Sequence, residues 1–214
     1  MGEIDDTDGL AMDSVRYLLA AFLVITLPAL FLYWLLIHPF VNIWRGKGIG
    51  ATYSFVLTII AAAMVGLFSI RHYLLAEDFG TSFPLMIIGV ILLILSGSMG
   101  FAIHKQLGLR TLLGLPEIAP DRFPRQLITD GLYGRMRHPR YVQLLIVFFG
   151  FALIANHFAV YLVVALWLPG IYVIALLEEK ELQAHFGQTY EEYCRNVPRF
   201  LPKLRRLSKI LGKT

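Results

Sequence analysis

Residues 141–177 read YVQLLIVFFGFALIANHFAVYLVVALWLPGIYVIALL, an uncharged run whose apolar character lapses at Asn156-His157. A helix crosses the hydrocarbon core in about 20 apolar residues, so the run is too long for one span. Split at Asn156-His157 it gives roughly fifteen plus twenty residues, enough for two helices joined by a tight turn. The resulting antiparallel hairpin brings its two flanks together on one side of a membrane. Those flanks are Arg137-His138-Pro139-Arg140-Tyr141 before the run and Glu178-Glu179 after it.

Three more apolar segments precede the hairpin, at 17–37, 51–70 and 83–103. Each is close to spanning length. Composition agrees: 57% of the 214 residues are hydrophobic and 16% charged, with a mean hydropathy of +0.65. A soluble domain would sit near half apolar and a quarter charged. The sequence therefore predicts an all-α integral membrane protein of about five transmembrane helices. A three-span region covers 1–104. A second region, 105–214, holds a cytosolic loop, the C-terminal helical hairpin and a basic tail. Pro28 and Pro169 fall inside spans, where neighbouring helices can satisfy the freed carbonyls, so each predicts a kink rather than a break.

Basic residues orient the spans. With five crossings, all but two of the 19 Lys and Arg fall on one face, leaving Arg16 and Arg71 beside Asp5, Asp6, Glu77 and Asp78 on the other. The N-terminus is thus expected outside and the C-terminus in the cytoplasm. The net charge of +4 follows the membrane, and no nucleic-acid partner is expected. No basic n-region precedes the first apolar run, which reads as a retained span. Together these features point to a bacterial inner membrane. Met1-Gly2 is not a myristoylation signal, because Asp6 stands where Ser or Thr is needed.

The spans hold no Asp, Glu, Lys or Arg at mid-depth, which argues against the charged relays of pumps and ion-coupled transporters. A single cysteine, Cys194, allows no intrachain disulfide and no multi-Cys zinc site. The six histidines show no His-x-x-x-His or Glu-x-x-His spacing, and no metal is expected. Gly46-Lys47-Gly48-Ile49-Gly50 lacks a surrounding βαβ unit and reads as a flexible loop. Trp34, Trp44 and Trp167 read as interface or packing residues. The connection 105–140 mixes Pro116, Pro120 and Pro124 with Leu127 and Ile128, as a loop folded against the membrane face would. In the tail, Leu204, Leu207 and Leu211 share one face of an expected interfacial helix. At the hairpin mouth, spacing alone is met equally by a functional site and by an Arg137–Glu178 ion pair that anchors the hairpin.

The flanks also carry a longer pattern. It runs Gly131-Leu132-Tyr133, then Arg137-His138-Pro139-x-Tyr141, then Glu178-Glu179-x-x-Leu182-x-x-x-Phe186-Gly187-x-x-Tyr190-x-x-Tyr193-x-x-x-Val197-Pro198. About 125–202 thereby resembles the isoprenylcysteine carboxyl methyltransferases and related membrane phospholipid methyltransferases. The resemblance implies S-adenosyl-L-methionine in a cytosol-facing pocket, and a lipid or other lipophilic small-molecule acceptor entering from the membrane. It maps cofactor contacts onto Arg125, Gln126, Leu127, Ile128, Tyr133, His138, Pro139, Arg140, Tyr141 and Glu178. Arg137 is the candidate catalytic group, orienting an anionic acceptor. The chain departs from the pattern at Ile174, where prenylcysteine enzymes place an Arg that meets the substrate carboxylate. It departs again at Arg125, where a His is common, and at Gln143, where a Gly is usual and an altered pocket floor is expected. The acceptor is left open among a phospholipid amine, an isoprenoid and another small lipophile. An NADPH-dependent sterol or enone reductase shares much of the pattern but usually has Asn where this chain has Arg140. A non-catalytic lipid-binding membrane protein is the third reading.

Overall fold

The computed structural model describes residues 3–37, 39–112 and 126–202. They form helices α1 (Glu3–Ile37), α2 (Val41–Lys47), α3 (Ile49–Ser69), α4 (Arg71–Leu74), α5 (Phe83–Leu112), α6 (Pro139–Ala155), α7 (Phe158–Phe186) and α8 (Gln188–Asn196). No strand occurs among the described residues. The expected interfacial helix of the tail and Arg125 lie outside them. Four helices, α1, α3, α5 and α7, are long and apolar enough to cross a membrane, and α6 adds a shorter apolar helix of 17 residues. α6 and α7 are the expected hairpin, turning at Asn156 and His157. Asn156 adopts the left-handed conformation at φ 52°, which Asn tolerates better than most side chains.

Three sequence expectations are corrected. The stretch 46–50 is not a loop: Gly46 and Lys47 end α2, Ile49 opens α3, and only Gly48, at φ 80°, lies between them. The third span does not end at 103, because α5 stays helical to Leu112 and takes over the first part of the connection. Gln143 does not form a pocket floor. Its side chain turns to α5, where its Nε2 donates to Ser96 Oγ at 2.8 Å. Pro28 and Pro169 both lie within continuous helices.

Lipid tails are as apolar as leucine, so spanning helices associate through close packing and interhelical hydrogen bonds. α7 presents Val160, Val164, Trp167, Ile171 and Ile174 at helical spacing, all buried against Ala20, Leu23, Val24 and Leu27 of α1 and Phe148 and Ala152 of α6. Trp167 meets Phe148 edge-on at 4.9 Å and Phe31 at 5.3 Å. The α5–α6 pair comes closer still. A Cβ added at Gly89 would lie 2.7 Å from the Gly150 carbonyl oxygen, and one at Gly150 would lie 3.0 Å from that of Gly89. The outward faces of α3 and α5 leave Leu57, Val65, Ile87, Ile91, Ile94 and Phe101 exposed, as lipid contact allows.

The turn end of the bundle is closed by polar groups. Phe79 N–H donates to the Asn156 carbonyl at 3.1 Å, and Phe158 N–H to that of Glu77 at 3.1 Å. Asn156 Nδ2 donates to the Gly80 carbonyl at 2.8 Å, and its Oδ1 accepts from Tyr161 Oη at 2.8 Å. Arg16, 1% exposed, reaches across from α1 to Asp78 and to Thr81. Gly89→Val should wedge α5 from α6 through contact with backbone, at a cost of roughly 1–3 kcal/mol. Thermal unfolding of detergent-solubilised protein followed by circular dichroism should register this as a lowered midpoint. Phe101→Leu on the exposed face of the same helix should leave the midpoint in place.

Candidate functional site

At the other end of the hairpin, antiparallel packing sets the first turn of α6 against the last apolar turn of α7. Pro139 occupies the first helical position, where its missing N–H costs nothing, and His138 caps the helix. Just before it the chain pairs with the C-terminal segment through its backbone. Arg137 N–H donates to the Pro198 carbonyl at 2.8 Å and His138 N–H to that of Arg199 at 3.0 Å. α7 runs past the apolar run to Phe186. Gly187, at φ 55°, then turns the chain into α8. α8 returns Tyr190, Tyr193 and Val197 against Leu127, Leu182 and Phe186, forming a small second core.

Neighbouring residues on a helix point about 100° apart, and the two carboxylates separate accordingly. Glu179 faces inward to two arginines and a histidine. Arg199 grips it with two parallel bonds, Nε to Oε1 at 2.9 Å and Nη2 to Oε2 at 2.7 Å. Arg137 Nη2 approaches at 3.2 Å and His138 Nε2 at 2.9 Å. Glu178 faces a cavity and accepts from Tyr141 Oη at 2.8 Å, with His138 Nδ1 at 3.5 Å. The expected Arg137–Glu178 anchor is therefore replaced by an Arg137–Glu179 pair. Arg137 Nη1 also donates to the Cys194 carbonyl at 3.3 Å.

The cavity counts about 980 Å³, open solvent at its mouth included. Its lining includes Gln126, Leu127, Ile128 and Tyr133 from the connecting segment, with Arg137, His138, Arg140, Tyr141 and Glu178 from the hairpin. Of the residues singled out in the sequence, Pro139 is buried beside the cavity without lining it, and Arg125 lies outside the described residues. Trp34, Leu107, Leu182, Tyr190 and Tyr193 complete the lining. The last three belong to the quoted pattern, where a tyrosine repeated after three residues was the available signal. Trp34 was read as an interface or packing residue. It packs against Tyr141 edge-on at 5.6 Å and under the Arg140 guanidinium at 5.4 Å, and it also lines the cavity. Nothing in the local sequence of α1 announces that role.

Electrostatics follow the geometry. Burial alone would lower the His138 pKa, but hydrogen bonds and charge from Glu178 and Glu179 outweigh it and hold the imidazole above its usual value. Burial pushes the Tyr133 and Tyr190 phenols well up and Tyr193 to about 12, so all three act as neutral groups. Tyr193 Oη donates to the Tyr133 carbonyl at 2.6 Å. The Tyr190 hydroxyl, on a side chain 1% exposed, lines the cavity with no hydrogen-bond partner among the described residues. A buried hydroxyl without a partner costs about 1–3 kcal/mol, and a polar ligand in the cavity would satisfy it.

A family model, phospholipid methyltransferase, matches residues 84–189. A protein-S-isoprenylcysteine O-methyltransferase from Schizosaccharomyces pombe is 35% identical over 77 residues, which is 36% of this chain and 33% of that protein. The chain thus aligns with about a third of the length of that curated relative. No solved structure matches.

Two outcomes are expected. Glu179→Ala leaves Arg137, Arg199 and His138 without their shared carboxylate at a nearly buried position and should destabilise the fold by on the order of 3 kcal/mol. Glu178→Gln, at a more open position, should cost far less in the same thermal melts. For His138 the folded pKa lies above the unfolded value of about 6.5. Its contribution to stability is therefore complete below that value and is lost as pH rises through the folded one. The stability difference between wild type and His138→Gln should be largest below about pH 6.5 and shrink as pH rises above it.

Proposed function

Because the chain belongs to the phospholipid methyltransferase family, we propose that the cavity at its hairpin mouth binds S-adenosylmethionine and serves methyl transfer to a lipophilic acceptor held in the membrane. The observation that carries this reading is the pairing, in one cavity, of the Glu178 carboxylate with the buried, unpartnered hydroxyl of Tyr190. A carboxylate facing the cavity suits an ammonium or ribose hydroxyl donor, and a neutral phenol suits a ribose oxygen or a carboxylate. Leu127, Ile128 and Leu182 offer an apolar wall to an adenine ring.

When bound, the cofactor supplies an electrophilic methyl group on a sulfonium, which passes to a nucleophile and leaves a neutral thioether. What remains for the protein is placement and exclusion of water. In this reading Tyr141 fixes Glu178 through its hydroxyl, and His138, held by Glu179, fixes the plane of the stacked Tyr141 ring at 5.3 Å. Arg137, its guanidinium engaged by Glu179 and the Cys194 carbonyl, serves as a positioning residue that ties α8 to the mouth. The positive-inside asymmetry supports a cavity facing the cytoplasm. The likeness to a protein-S-isoprenylcysteine O-methyltransferase supports oxygen as the methylated atom.

Calorimetric titration of purified protein with S-adenosylmethionine and with S-adenosylhomocysteine tests the reading. Both should bind. Glu178→Ala should weaken binding by about tenfold or more, the scale of one charged hydrogen bond. NADPH should give no heat. Binding of NADPH alone, or of neither cofactor form, overturns the proposal.

A further inference from the structure

Tyr133 reaches the cavity wall from a tight turn rather than from a helix. The Asp130 carbonyl accepts from the Gly134 N–H at 3.0 Å, and the Leu132 carbonyl accepts from Arg135 and Met136, each at 3.1 Å. Gly131, inside this turn, stands at φ 55°, in the left-handed region that glycine enters without steric cost. These bonds are local. They fix the shape of the turn but not its place relative to the membrane helices.

Two hydrogen bonds from outside reach the turn, one on each side. Tyr193 of α8 donates its hydroxyl to the Tyr133 carbonyl at 2.6 Å. Gln106 of α5 donates its Nε2 to the Asp130 carbonyl at 3.3 Å, the same carbonyl that closes the turn. Gln106 is within reach because α5 stays helical to Leu112, beyond the end of its apolar run, and the next residue, Leu107, lines the cavity. The amide also lies over Gly131. A Cβ added at position 131 would overlap Gln106 Nε2 and come 2.8 Å from its Cδ. The glycine thus admits both a positive φ and the side chain that α5 lays across it.

α5 is a firm base for such a hold. It meets α6 backbone to backbone at Gly89 and Gly150 and through the bond from Gln143 Nε2 to Ser96 Oγ at 2.8 Å. The α5–α6 pair therefore carries Tyr141 directly, at the start of α6, and reaches Tyr133 through Gln106. We infer that Gln106 is a positioning residue for the cofactor site, holding the turn 130–134 so that Tyr133 keeps its place on the cavity wall. This deepens the methyl-transfer reading and rests on it for the identity of the ligand. Gln106 acts through Tyr133 and Leu107, the residues that line the cavity.

Three substitutions separate the donor from its bulk. Gln106→Met keeps the length and loses the donor, Gln106→Glu sets an acceptor-only carboxylate against the Asp130 carbonyl, and Gln106→Lys keeps a donor on a long side chain. Fluorine NMR of the full chain in detergent, with 3-fluorotyrosine at position 133, reads the turn with no ligand present. The signal should shift or broaden in Gln106→Met and Gln106→Glu, and return toward its wild-type position in Gln106→Lys. By calorimetry, affinity for S-adenosylhomocysteine should fall about fivefold in Gln106→Met, the scale of one neutral hydrogen bond. It should fall further in Gln106→Glu and recover in Gln106→Lys. A fluorine signal unchanged in Gln106→Met and Gln106→Glu overturns the inference. Equal losses of affinity in Gln106→Met and Gln106→Lys also overturn it, because packing alone would then account for the effect. If the wild type binds no cofactor form while the fluorine signal moves as expected, the methyl-transfer reading fails and the anchoring of Tyr133 by Gln106 stands.

Discussion

Glu179 holds the functional end of this protein together. One carboxylate receives a bidentate Arg199, an Arg137 and a His138, which come from the C-terminal segment, from the chain leading into α6 and from the cap of α6. Charges withdrawn this far from water persist only where their hydrogen bonds are made. The clamp therefore sets where the C-terminal segment sits, and with it α8 and the two tyrosines that close the cavity. Glu178, one residue earlier on the same helix, is left to face the cavity because its neighbour carries the structural load.

The membrane explains why polar chemistry is confined to the ends. Between them α6 and α7 offer the bundle only packed apolar side chains and small residues that admit a neighbouring backbone, Gly150 against Gly89 above all. Ser96 and Gln143, polar side chains within that depth, satisfy each other, while the Trp167 indole N–H is buried with no partner among the described residues. A hairpin so constrained behaves as a rigid fork, with the cavity between its tips and a polar lock at its turn.

Much of this was legible before any coordinates. The break at Asn156-His157 gave two helices, antiparallel pairing put the Arg-His-Pro-x-Tyr and Glu-Glu segments together, and most of the expected contacts from Gln126 to Glu178 do line one cavity. Partner choice was not legible. Sequence spacing brings Arg137 near both glutamates, but only the rotation between adjacent helical positions decides that Glu179 takes it. Trp34 was hidden for a different reason. Its role depends on how α1 leans against α6, a packing outcome that no local pattern in a uniformly apolar helix records. The glycines at 46–50 were misleading because helix α2 ends and α3 begins around one of them, and short helices leave little periodic signal.

The turn end of the bundle bears on how such a chain could be assembled during synthesis. Arg16 lies in the first helix, yet the acid it meets across the bundle, Asp78, is 62 residues further on, in a segment whose backbone bonds to Asn156 and Phe158. Asp13, three residues away, is the acid Arg16 has within its own helix. Its other partners, Asp78 and Thr81, come from the segment before α5, so the full set that holds this end of α1 exists only once that segment is in place.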